Sequence, residues 1–257
     1  MAAVKPTKDP FLNAQYIRVA FKISYDGRNY NGFETCEDKK QEHTVAIEDK
    51  LFDALEKVTM IRDRKTIEKE CGYSKAGRTD AGVSATGNVI SLKVRKLADD
   101  IQRHCVILNR SLPDDIRALD CVEVPEEWSA RFDCVSREYT YFFMRRNYNV
   151  VEMNKACELL IGKHDFRNIC KMNVVQTDSF VRDVIHAAIY PADHLIFGEG
   201  GWDIQSGMKM ENMDRPKNIA QLTEKGSPYD MFYLRIRGSA FLWHQVSSLD
   251  DARLGAS

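Results

Sequence analysis

Apolar and polar positions alternate strictly over Tyr16–Ser24 (YIRVAFKIS), with Ile17, Val19, Phe21 and Ile23 on one side and Arg18, Lys22 and Ser24 on the other. A period of two predicts a half-buried strand. Tyr25-Asp26-Gly27-Arg28-Asn29 closes it with turn-forming residues. The period then changes. Ile47, Leu51, Leu55 and Val58 follow at spacings of four, four and three, which places them on one stripe of a helix that Thr44 can cap. Asn88–Val94 (NVISLKV) predicts a further strand, Ile101–Leu112 a helix ended by Pro113, and Cys121–Val124 a short strand.

A comparable order recurs downstream. Arg137–Arg145 (REYTYFFMR) predicts an aromatic-rich strand with Tyr139, Tyr141 and Phe143 on one side. Met153–Ile161 predicts a helix stopped by Gly162. Arg182–Tyr190 and Tyr229–Arg237 predict strands, and Pro191–Pro228 collects turn-forming residues and predicts a long surface excursion. Two successive β-α-β-β-like patterns predict an α+β protein made of two related antiparallel-sheet halves, each with helices on one face. The expected organisation is an N-terminal extension over residues 1–15, an N-terminal half over 16–125, a C-terminal half over 126–246 and a divergent tail over 247–257.

A length of 257 residues is enough for one large core or two smaller ones. No apolar run approaches the roughly 20 residues of a bilayer span, and Met1–Gln15 has no apolar segment of the secretory kind. The expected location is therefore inside the cell, away from the membrane. Seven cysteines without a C-x-x-C pair and six scattered histidines without HExxH spacing predict reduced thiols and no metal site. The 37 Lys and Arg nearly balance the 38 Asp and Glu, a total that says nothing about nucleic acid, because phosphate responds to local charge. One local excess exists: Arg131, Arg137, Arg145, Arg146, Lys155, Lys163, Arg167 and Lys171 stand against five acids between 131 and 171. It reads either as a solvated face or as a phosphate-binding wall.

Candidate chemistry centres on Gly77-Arg78-Thr79-Asp80-Ala81-Gly82-Val83. An acid with glycines three before and two after it sits on backbone able to turn sharply and approach a ligand. Arg78 would favour the ionised, nucleophilic form of Asp80. The plainer alternative is an Asp closing an Asx-turn, with Arg78 as a surface partner. No Lys follows the second glycine, so the loop is not a nucleotide-binding P-loop.

The stretch from Cys71 to Leu92, CGYSKAGRTDAGVSATGNVISL, closely resembles the signature of the TruA family of tRNA pseudouridine synthases. The resemblance continues, in the family's order, through SYDGRNYNGF (24–33), ILNRSLPDDIR (107–117), SARFDCVSREYTYFF (129–143), GKHDFRNICKMN (162–173) and GSAFLWHQV (238–246). GKHDFRNICKMN is most similar to the eukaryotic branch acting on uridines 38 and 39 of the anticodon stem-loop. The resemblance implies a pseudouridine synthase fold with ferredoxin-like halves, and a cofactor-free isomerase with tRNA as its partner. It puts the nucleophile at Asp80 and a uracil-stacking Tyr at Tyr139, otherwise a core aromatic. It assigns base flipping to Arg78 and RNA contact to Arg131. The family commonly dimerises, so a second copy is a candidate partner; residence in nucleus or cytoplasm stays open. After Val246 the family continues with an Arg that pairs with the nucleophile, then a helix and a strand. Here Ser247 follows, with SLDDARLGAS after it. The expectation is a C-terminally truncated member lacking the last helix and strand, with a catalytically impaired tRNA-binding relative as the alternative.

Overall fold

The computed structural model describes residues 9–35, 45–171, 179–192, 226–242 and 245–246. The chain divides into two compact units, Met1–Cys134 and Val135–Ser257.

The first unit contains β1 (Tyr16–Tyr25), α1 (Ile47–Lys57), α2 (Ile67–Cys71), β2 (Ser74–Lys75), β3 (Ala85–Arg95), α3 (Gln102–Asn109) and β4 (Ile116–Glu123). Its antiparallel sheet runs β2-β3-β1-β4. The alternation read in β1 sets the faces. Val19, Phe21 and Ile23 are fully buried and share one core with Ile90 and Leu92 of β3, Leu51 and Leu55 of α1, and Leu108 of α3. Burying each such side chain contributes roughly 1.5–3 kcal/mol. The predicted cap Thr44 lies outside the described residues. The helix starts at Ile47, where Asp49 reaches back to accept from the Ala46 N–H at 3.0 Å, and the cap residue Ala46 makes no side-chain cap bond of its own. β4 begins five residues earlier than the apolar run Cys121–Val124 suggests. Pairing with β1 from Ile116 onward extends it through a register shift opposite Lys22/Ile23.

On the opposite face of this sheet the chain's own connector docks at Ser91 and Arg18. Ser91, fully buried, lies between Ser74 (hydroxyl to hydroxyl, 2.8 Å) and the Ala130 N–H (3.1 Å). Arg18 Nε donates to the Trp128 carbonyl at 2.7 Å. These bonds tie residues 128–130 to the first sheet, and the division between units accordingly falls after Cys134, beyond the 125/126 boundary drawn from sequence.

The second unit contains β5 (Arg137–Met144), α4 (Val150–Leu159), β6 (Gly162–Asp165), β7 (Val181–Pro191) and β8 (Met231–Gly238) in an antiparallel sheet of order β5-β8-β7-β6. Val184, Ala187, Ile189, Phe232, Leu234 and Ile236 form its core with Val150 and Cys157 of α4. The Asn149 side chain caps α4 through the Val151 and Glu152 N–H groups. Asn154 of the same helix accepts from Ile189 N–H at 2.9 Å, so a helix side chain satisfies a strand donor beyond the reach of the short β6. Gly162 does not end the helix. It opens β6 at φ +107°. An α+β protein with two antiparallel-sheet halves is what the sequence predicts and what is observed. The strand orders differ: β1 lies inside its sheet, whereas β5 lies at an edge of its own among the described residues. Most of the excursion 191–228 and the tail 247–257 lie outside the described residues, as does Cys36.

Candidate active site

Asp80 sits on the loop joining β2 to β3, and that loop is clamped on both sides by the end of β1 and the segment following it. Before Asp80, the Thr79 carbonyl accepts from Phe33 N–H at 3.0 Å, and the Thr79 hydroxyl lies 2.8 Å from the Tyr25 hydroxyl. After it, Gly82 N–H donates to the Tyr30 carbonyl at 3.1 Å, and Gly27 N–H donates to Ser84 Oγ at 3.0 Å. Asp80 itself opens a turn: its carbonyl accepts from Val83 N–H at 3.1 Å, and Gly82 at the third position has φ +78°. That is the type II pattern, in which the third residue needs positive φ. Asp80 is an exposed residue on backbone held from both ends.

Two further glycines make this approach possible. Gly27 lies so near the loop that a β-carbon would fall inside contact distance of the Val83 carbonyl. Gly32, at φ +94°, would carry a β-carbon 2.9 Å from the Thr79 oxygen. Tyr30, buried and donating to Asp115 at 2.8 Å, anchors the intervening segment. Gly77 has neither property: its φ is not positive, and a β-carbon there would meet only Asn88 at 3.7 Å. Of the two glycines the sequence singles out beside Asp80, only Gly82 bends the chain.

Arg78 pairs with Glu34 at 3.1 Å, and Glu34 with Lys75 at 2.8 Å. Lys75 also donates to Glu48 at 2.7 Å. Glu48 is buried in the first turn of α1 and additionally accepts from the Tyr73 hydroxyl at 2.7 Å and the Thr35 N–H at 2.9 Å. Burial, followed by the Glu48 carboxylate, pushes the Tyr73 phenol well above its ordinary value, so it stays protonated and donates. Burial pushes the Glu34 carboxyl up, but Lys75 and then Arg78 outweigh it and hold it below the usual range.

Arg131 is exposed, on the connector of the first unit, with its guanidinium carbon 5.3 Å from the Phe132 ring centre. Tyr139 belongs to the second unit. It lies on β5 opposite Ile236, half-buried against the core, its ring edge-on to Phe241 at 5.1 Å. Arg78, Asp80 and Arg131 therefore belong to one unit and Tyr139 to the other. The basic run 131–171 does not form a uniform face: Arg145 is buried beside Phe232, Lys155 pairs with Glu152 and Arg167 with Asp165. Among the described residues no group of three or more His, Cys, Asp or Glu could hold a metal ion, and no helix is long and apolar enough to cross a membrane.

Sequence reasoning missed Tyr25, Gly27, Gly32, Glu34, Glu48 and Lys75 as parts of this arrangement. A signal existed for Glu48. It lies three residues before Leu51 and seven before Leu55, on the apolar stripe of α1, where a carboxylate requires a buried partner.

Comparison with known proteins agrees with the block resemblance. A family model described as tRNA pseudouridine synthase matches residues 156–250. The chain is 36% identical over 247 residues to a tRNA pseudouridine(38/39) synthase of Bos taurus, covering 89% of this chain and 45% of the relative. It is 32% identical over 254 residues to the protein of the same name from Saccharomyces cerevisiae, covering 94% and 49%. A tRNA pseudouridine synthase A of Methanosphaera stadtmanae is 37% identical over 172 residues, covering 65% and 57%. The chain thus spans about half the length of the curated eukaryotic relatives it matches. By sequence it belongs to the TruA family of tRNA pseudouridine synthases.

Proposed function

We propose that this chain isomerises uridine to pseudouridine in the anticodon stem-loop of tRNA, at the positions 38 and 39 that its eukaryotic relatives carry in their names. The observation that carries the reading is the exposed carboxylate of Asp80 on a loop hydrogen-bonded before and after it, inside the sequence block that resembles the family signature. A nucleophile held by its backbone meets its target without reordering the loop at the moment of reaction. Asp80 bonds covalently to the nucleoside, the bond from ribose to N1 breaks, the base turns, carbon 5 takes the place of N1, and the bond to Asp80 breaks to release the carboxylate. N1 gains a proton and carbon 5 loses one, so the product is an isomer and no cofactor is consumed.

The target base lies stacked in a stem and must be everted, at a cost of a few kcal/mol. Arg78 takes the vacated space or the flanking phosphate, where a planar guanidinium serves both roles. Tyr139 stacks on the uracil and takes up a proton late in the reaction, and Arg131 grips RNA nearby. We place the reaction inside the cell, in nucleus or cytoplasm. A second copy of the chain is the expected partner, which sedimentation of the purified protein tests. The activity is tested by tritium release from tRNA labelled at carbon 5 of uracil. Release by the parent and none by Asp80→Ala is the expected outcome. No difference between the two folded proteins rejects the reading.

A further inference from the structure

Arg78 is the outer end of four charges that run from the interior of the first unit to its surface. Glu48, with its side chain 3% exposed, holds Lys75 (16% exposed) at 2.7 Å. Lys75 holds Glu34 (45% exposed) at 2.8 Å, and Glu34 holds Arg78 (65% exposed) at 3.1 Å. The signs alternate and cancel. The inner pair cannot open without stranding a buried carboxylate. The outer pair is largely solvated, and such pairs hold weakly. The weak link is therefore the one between Glu34 and Arg78.

Opening there leaves nothing unpaired. The two oxygens of Glu34 divide their partners, Oε1 to Lys75 and Oε2 to Arg78. When Arg78 departs, Glu34 keeps Lys75, and Lys75 keeps Glu48. A phosphate presents Arg78 with the oxygen geometry that a carboxylate does. We propose that Glu34 is a latch on Arg78: it holds the guanidinium in the RNA-free protein and gives it up to an RNA phosphate. By that competition it sets the strength and salt dependence of binding. This rests on the functional reading above. The consequence is weaker attachment to polyanions in general, because each must displace a carboxylate before Arg78 engages it.

Filter binding of the full chain to an unmodified tRNA transcript between 50 and 200 mM salt tests the latch. Glu34→Gln keeps the shape of the side chain and removes its charge. It is expected to tighten binding about two- to fivefold at low salt and to steepen the salt slope by up to about one. Glu34→Ser, which removes the carboxylate without supplying an amide, must reproduce the effect. In an Arg78→Ala background the gain must vanish. The latch is rejected if Glu34→Gln binds as the parent does, or if it tightens binding equally without Arg78. Binding by the parent that Arg78→Ala weakens and Glu34→Gln leaves unchanged rejects the latch and spares the functional reading. Absence of any tRNA binding by the folded parent rejects both.

Discussion

Replacing Gly27 by Ala places a methyl group against the loop that carries Asp80. To restore ordinary contact at 3.4 Å, the Val83 carbonyl must retreat on the order of 1 Å. That carbonyl is main chain, next to Ser84, whose hydroxyl accepts from Gly27 N–H at 3.0 Å, so the retreat breaks this bond as well. Overpacking costs about 1–3 kcal/mol and the lost hydrogen bond about 1 kcal/mol, a total near 2–4 kcal/mol. Gly82→Ala supplies the comparison. Its φ is +78° but nothing lies within 4 Å, so it carries a conformational penalty alone, roughly 1 kcal/mol. Thermal melts should rank parent above Gly82→Ala above Gly27→Ala, with about 3–5 °C per kcal/mol for a unit of this size. Amide exchange should locate the damage, since the Gly82 N–H, bonded to the Tyr30 carbonyl at 3.1 Å, should exchange faster in Gly27→Ala. A Gly27→Ala protein as stable as Gly82→Ala, with unchanged exchange over 79–84, would falsify the clamp.

Asp80→Asn removes an exposed charge and should leave the melting midpoint within what a change of about 0.5 kcal/mol allows. It should lower tritium release roughly a thousandfold or more, and comparable losses of stability and activity would instead make Asp80 a structural residue. Glu48→Gln weakens the support of Lys75 and Tyr73 and should cost roughly 1–3 kcal/mol in urea unfolding; an unchanged midpoint would show that the interior end of the charge chain carries no load. His104 provides a pH test. Burial pushes its imidazole below the ordinary value, and its Nε2 accepts from Leu97 N–H at 3.1 Å, which requires the neutral ring. The unfolded chain therefore binds this proton more readily, so stability should decline as pH falls below about 6.5 toward the depressed native value. The decline should be shallower in His104→Gln, and equal slopes in the two proteins would refute it.

Much of the scaffold was legible because periodicity reports burial. The alternation of Ile17, Val19, Phe21 and Ile23 located β1, and the stripe of Ile47, Leu51 and Leu55 located α1, since one side of each element must leave water. Where order comes from pairing with distant residues, periodicity is mute. Ser74–Lys75 is a two-residue strand that exists because Ser91 and Ile90 face it. Gly162–Asp165 is a strand because β7 lies alongside. The half-legible case is the connector after β4: its Pro125 and Trp128 read as a boundary, while the bonds from Arg18 and Ser91 that retain it in the first unit cross 110 and 39 residues.

The same distinction explains the site. Asp80 and Arg78 can be picked from the sequence because chemistry resides in side-chain type, but what holds their loop in place resides in hydrogen bonds to residues about fifty positions away. The block SYDGRNYNGF carries one carboxylate, Asp26, and Arg28 engages both of its oxygens and holds its pKa down to about 2. Its contribution is to supply two glycines, a carbonyl, two N–H groups and a tyrosine hydroxyl to the loop opposite. A clamp that combines main-chain bonds with the Tyr25 and Ser84 hydroxyls leaves no room for added volume at Gly27 or Gly32. Positioning thus rests largely on main-chain groups, whereas charge is left to Arg78, which among the described residues pairs with Glu34 in a largely solvated contact. On the proposed reading, a loop tied at these points presents Asp80 in place, and the motion that admits the base is assigned to the RNA and to Arg78.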